Sequence, residues 1–155
     1  MPNVSTIRTL FLHPHPIYSL PEAATLLGMD AAEVQGWIDV GELAGIGHGE
    51  GTRVPWPELV SFGMDLWSQE VVEDALGADL ATAIPELLRL TDLEVRIPRM
   101  EVVALERVAA RDGKSVDRVL ARELLDFVSA NSPWLDREVA GFLAALEWPE
   151  TSDAV

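Results

Sequence analysis

Apolar residues recur at spacings of three and four over most of this chain and at a spacing of two over one short segment. That pattern predicts a mainly α-helical protein with few strands. Residues 5–12 read as a short strand, broken by His13-Pro14-His15-Pro16. Ser19 is placed to cap a helix from Pro21 to Leu27, with Glu22 in its first turn. Gly28 ends that helix. Asp30 then caps a second helix through Val40, with Val34, Trp37 and Ile38 on one face, and Gly41 stops it. Glycines 45, 47, 49 and 51 make a loop or hairpin tip, and Thr52–Pro55 reads as its return strand. A third helix is expected from Pro57 to about Leu76. Residues 77–90 form another amphipathic helix in which Pro85 is a kink or a restart.

The period changes at residue 92. Leu93, Val95 and Ile97 alternate with Asp92, Glu94 and Arg96, a strand with one apolar face. Pro98 ends it and Arg99 enters a helix that runs to Arg111, with Val102, Leu105, Val108 and Ala109 as its stripe. Asp112-Gly113 is a tight turn. Ser115 caps a further helix to about Ala130, whose stripe is Val116, Val119 or Leu120, Leu124 and Phe127. So short a strand is unstable alone, and one copy cannot bury a strand face and two stripes, so pairing with a second copy is expected. A last amphipathic helix spans Trp134 to Trp148. Pro149 ends it, leaving a frayed tail. The expected divisions are residues 1–76, a connecting helix at 77–91, a unit at 92–130, and a C-terminal helix and tail at 131–155.

Charge sharpens the division. The net charge is -15 over 155 residues. Residues 1–90 carry three basic side chains (Arg8, Arg53 and Arg89) against thirteen acidic ones, whereas residues 91–130 carry seven against eight. An acidic protein repels nucleic acid overall, so any DNA contact must be concentrated in the second window. The acidic remainder suits a basic protein partner or simple solubility. There is no cysteine, which excludes disulfides and thiolate metal sites and fits a reducing cytosol. No apolar run reaches membrane length and the N-terminal residues offer no credible signal-peptide cleavage site, so a cytoplasmic protein without membrane contact is expected.

The strand ending in "RIPR", the helix "MEVVALERVAARDG", the "GKS" turn and the second amphipathic helix make residues 92–128 resemble the ribbon-helix-helix family, which includes Arc/MetJ-like repressors and many antitoxins. The resemblance implies a homodimer in which two strands pair and lie in the major groove of double-stranded DNA. Asp92, Glu94 and Arg96 would face the bases, and Arg96 suits guanine. Arg99, Lys114 and Arg118 would add positive charge, and the backbone N–H groups around Ser115 and Val116 would hold a phosphate. Two acids among the three ribbon positions depart from the usual polar or basic pattern.

Leu20-Pro21-Glu22-Ala23-Ala24, Leu26-Leu27-Gly28, and Val34 with Trp37-Ile38 make residues 18–62 resemble the small winged helix-turn-helix of excisionases and the MerR group. Ala23, Ala24 and Gly28 would sit where its helices cross. Its second helix, however, carries three acids and no base. Only Gln35 and Arg53 offer contacts to DNA.

Neither His13 and His15 nor "GIGHGEG" forms a metal-ligand pattern or a phosphate-binding loop. No nucleophile–base pair appears. Neither an enzyme nor a cofactor is expected. Trp56, Trp67, Trp134 and Trp148 read as core or interface, the last two docking the final helix on a partner. The expected function is a DNA-binding transcription regulator, antitoxin-like and autorepressing, with a basic protein such as a toxin as a further partner. The competing reading is an acidic adaptor whose DNA-binding folds no longer bind DNA.

Overall fold

The computed structural model describes residues 2–152. The chain is mainly helical with one two-stranded antiparallel sheet. It forms two compact units, residues 2–90 with 144–152, and Thr91–Leu143.

In the first unit, helix α1 (Val4–Leu12) occupies the segment expected as a strand. Ile7, Leu10 and Phe11 suit a helical spacing and are all buried, and the Asn3 side chain accepts from the Ser5 N–H at 2.9 Å. In so short a run the cap and the core decide between the two periods. In the last turn of α1 the Leu10 carbonyl lacks an i+4 donor because residue 14 is proline. The Trp56 indole N–H supplies one at 2.8 Å, inside the core.

Strand β1 (Ile17–Ser19) pairs with β2 (Arg53–Pro55), setting Tyr18 opposite Val54, both buried. Helices α2 (Leu20–Leu27) and α3 (Ala31–Asp39) each start with a capping box, Ser19 with Glu22 and Asp30 with Glu33. Ala23 and Ala24 are buried in α2 as a close helix crossing requires. Gly28 ends α2 as expected but does not sit at a close crossing. Its backbone is left-handed (φ +70°) and nothing lies within 4 Å of the place a Cβ would occupy. Backbone conformation, not close packing, requires the glycine.

The single helix expected from Pro57 to Leu76 is two, α4 (Trp56–Trp67) and α5 (Gln69–Leu76), broken at Ser68 with φ +68°. Contacts distant in sequence hold α5 beyond the break. Helix α5 packs on α1, and the Arg8 guanidinium donates to the carbonyls of Ala75 (3.1 Å) and Leu76 (2.9 Å) while pairing with Asp79. A cation on a helix C-terminus satisfies orphan carbonyls and the helix dipole together. Residues 77–90 are not one amphipathic helix but short turns around α6 (Leu80–Ala83). Ile84 is buried and extended, the conformation a residue before proline prefers.

The returning chain completes this core. Trp148 lies against Phe11 (6.4 Å between ring centroids) and edge-on to Trp56 (6.3 Å). It packs on its own unit. The Thr151 hydroxyl donates to the Ala144 carbonyl at 3.1 Å, so the segment expected to fray is held by hydrogen bonds as far as Ser152. The rest of that expected tail, residues 153–155, lies outside the described residues.

The second unit is built on helix α7 (Arg99–Asp112) and helix α8 (Val116–Ala130), which pack together, and on α9 (Ser132–Glu138), which packs on α8. The expected last helix is likewise two, α9 and α10 (Phe142–Leu146), separated at Gly141 with φ +76°. Among the described residues no helix is long and apolar enough to cross a membrane.

Candidate nucleic-acid interface

Local chemistry shapes the α7–α8 turn. Gly113 is left-handed (φ +63°), and both its N–H and that of Lys114 reach the Ala109 carbonyl, closing α7. Ser115 caps α8 by accepting from the Arg118 N–H at 3.2 Å. The first bond within α8 runs from the Val119 N–H to the Ser115 carbonyl. The N–H groups of Val116 and Asp117 are thus the orphan donors of this helix start.

Lys114, Ser115, Val116 and Arg118 therefore come together at one helix N-terminus, where the orphan donors favour an anion. Lys114, Ser115 and Arg118 are exposed and Val116 is half-buried. Two arginines not singled out in the sequence join them. The Asp112 carboxyl is held below its usual range first by its hydrogen bond from Arg111, at 2.7 Å, and then by the charges of Arg111, Lys114 and Arg122. The same bond raises the Arg111 guanidinium. Arg122 was legible as the residue one turn beyond Arg118 on α8.

Asp92, Glu94, Arg96 and Arg99 are fully displayed but are not joined to this turn. Residues 91–98 form no strand within the chain, and all of them are exposed, Leu93, Val95 and Ile97 included. Neither the Arg96 nor the Arg99 guanidinium forms a hydrogen bond or ion pair with another described residue.

The helices behind this segment are almost coreless. Of residues 91–143 only Ala109 and Val119 are buried. Ile97, Ala104, Leu105, Val108 and Leu120 line an open groove with Glu101 and Glu123. Met100, Val103, Leu124, Leu125 and Phe127 are also exposed.

In the first unit the two groups that could offer DNA a contact are occupied. The Gln35 amide donates to Asp39 at 2.8 Å, and the Arg53 guanidinium donates to the carbonyls of Glu50 and Thr52. The second histidine of "HPHP" is structural: His15 stands edge-on to Tyr18 and its backbone N–H donates to the Tyr18 hydroxyl at 2.8 Å. Burial lifts the pKa of that hydroxyl, against the hydrogen bond. Among the described residues no group of three histidine, aspartate or glutamate side chains is placed to hold a metal ion. No protein-family model, curated protein or solved structure matches the chain.

Proposed function

We propose that residues 92–128 pair with those of a second chain as a ribbon-helix-helix dimer, and that the dimer is a cytoplasmic, DNA-binding transcription regulator. The observation that carries this reading is the near absence of a core in Thr91–Leu143 beside an exposed, alternating apolar segment that has no strand partner. Soluble proteins rarely leave so much contiguous apolar surface uncovered. A second copy supplies the missing strand and buries both helical stripes. Arg96 then faces the groove, and Arg99, Lys114, Arg118 and the α8 N-terminus meet phosphates. In the same reading α2, α3 and the β1–β2 pair are a winged helix-turn-helix-like module that serves as scaffold. The antitoxin-like role, with a basic protein as second partner, follows from the acidic surface of that module.

The test is a titration against DNA from upstream of the gene at several salt concentrations, beside Arg96→Ala. Affinity should fall as salt rises, because phosphate contacts release counterions. Arg96→Ala should cost about 1–3 kcal/mol on the specific site, the worth of one bidentate base contact. Equal affinities would remove Arg96 as a reader.

The acidic adaptor is the second reading, and it is favoured by Asp92 and Glu94 on the ribbon itself. It is the outcome if well-formed dimers show no specific binding at any salt concentration.

A further inference from the structure

Helices α3 and α4 share an apolar strip on the outside of the first unit. The Trp37 ring meets Phe62 at 5.6 Å. Val40 lies one turn after Trp37, and Leu66 one turn after Phe62, so both extend the strip. Trp37 is 40% exposed, Val40 69% and Leu66 42%, on the outside of a unit whose core is closely packed.

The strip's setting is acidic throughout. Glu33 lies one turn before Trp37 and Glu58 one turn before Phe62, with Asp39, Glu42 and Asp65 nearby in sequence. Neither helix contains a lysine or arginine. The unit's three arginines all point at its own backbone: Arg8 at the end of α5, Arg53 at Glu50 and Thr52, and Arg89 at the carbonyls of Ile84 and Ala81.

We propose that the Trp37–Val40–Leu66 strip is the docking face for a cationic, amphipathic segment of another protein. An apolar side chain of that segment seats against Trp37, and flanking lysines or arginines meet the surrounding carboxylates. Charge excludes the other occupants. Duplex DNA and an anionic membrane surface are repelled, and a second copy would bring two acidic faces together. The proposal gives the basic protein partner of the reading above its surface, and it holds whether or not residues 92–128 bind DNA.

The test uses the full chain and a labelled peptide with leucine and lysine at helical spacing, read by fluorescence anisotropy. A second peptide has alanine in place of leucine, at the same charge. The leucine peptide should bind, and the alanine peptide should bind much more weakly. Trp37→Ala should weaken the leucine peptide roughly tenfold or more, as for an aromatic anchor. Val40→Lys, at a site too exposed to affect folding, should weaken it as well. No binding, equal binding of the two peptides, or wild-type binding by both variants overturns the proposal. So does loss of dimers in Trp37→Ala, which assigns the face to a second copy, or loss of its DNA affinity, which assigns it to DNA. DNA binding that persists while peptide binding fails separates this proposal from the regulator reading.

Discussion

Val95→Asp should turn the proposed dimer into a monomer. Leu93, Val95 and Ile97 are 77%, 52% and 41% exposed in the single chain. Complete burial of such side chains is worth about 1.5–3 kcal/mol each. Scaled by these exposures, pairing the segment yields about 2.5–5 kcal/mol per chain, or about 5–10 kcal/mol for two. Association itself costs about 4–15 kcal/mol, so the ribbon alone is marginal and the exposed stripes of α7 and α8 must contribute. Losing both copies of Val95 removes about 1.5–3 kcal/mol, a rise in dissociation constant of roughly tenfold to two-hundredfold. Two carboxylates forced into the pairing face weaken it further. Sedimentation equilibrium over a concentration series measures this directly. Arg96→Ala, on the opposite face of the segment, is the control and should leave the dimer intact. The reasoning fails if Val95→Asp associates as tightly as wild type, or if the wild-type chain stays monomeric at about 100 μM, where a dimer of even micromolar affinity would be formed.

Two further outcomes test the first unit. Trp56→Phe keeps most of the buried ring but leaves the Leu10 carbonyl without its donor, and should lower stability by about 1–3 kcal/mol in urea titration; an unchanged midpoint would show that another donor replaces the indole. The Glu22 carboxylate sits below its usual pKa, first through its bond from the Ser19 hydroxyl and then through that from the Ser19 backbone N–H. Its stabilisation is therefore complete above the ordinary carboxylate range and is lost as pH falls through the lowered folded value. The melting-temperature gap between wild type and Glu22→Ala should be constant near neutrality and close in acid. A gap that widens in acid contradicts the capping role.

Features fixed by a few neighbouring residues were legible in the sequence. Ser19, Asp30 and Ser115 cap the helices they were expected to cap, because a cap is decided within three residues. Gly28 and Gly113 end theirs for the same reason. Residues 5–12 form a helix and not the expected strand because Asn3, outside that run, caps it and the core takes Ile7, Leu10 and Phe11 at helical spacing. The break at Ser68 carries no local signal, since neither glycine nor proline marks it. At the candidate interface, Lys114 to Arg118 could be placed from sequence because they are contiguous. The commitment of Arg8 to the carbonyls of Ala75 and Leu76 could not, because those partners are more than sixty residues away.

The treatment of arginine separates the two units more sharply than net charge does. Residues 1–90 with 144–155 hold sixteen acidic and three basic side chains, yet two of those arginines, Arg53 and Arg89, bind backbone carbonyls and no carboxylate. Residues 91–143 hold ten acidic and eight basic side chains, and there Arg96, Arg99 and Lys114 form no ion pair with any described residue. Carboxylates are abundant enough to neutralise all of these cations, so their display is a property of where the chain places them. A cation kept in water is available to an anion at little desolvation cost, whereas one fixed on a helix end is not. The first unit thereby presents acid offset by little more than the Arg8–Asp79 pair, and the second presents bases beside an uncovered apolar face. Phosphate fits the second arrangement and a basic protein segment fits the first, which is why we assign the two units different partners.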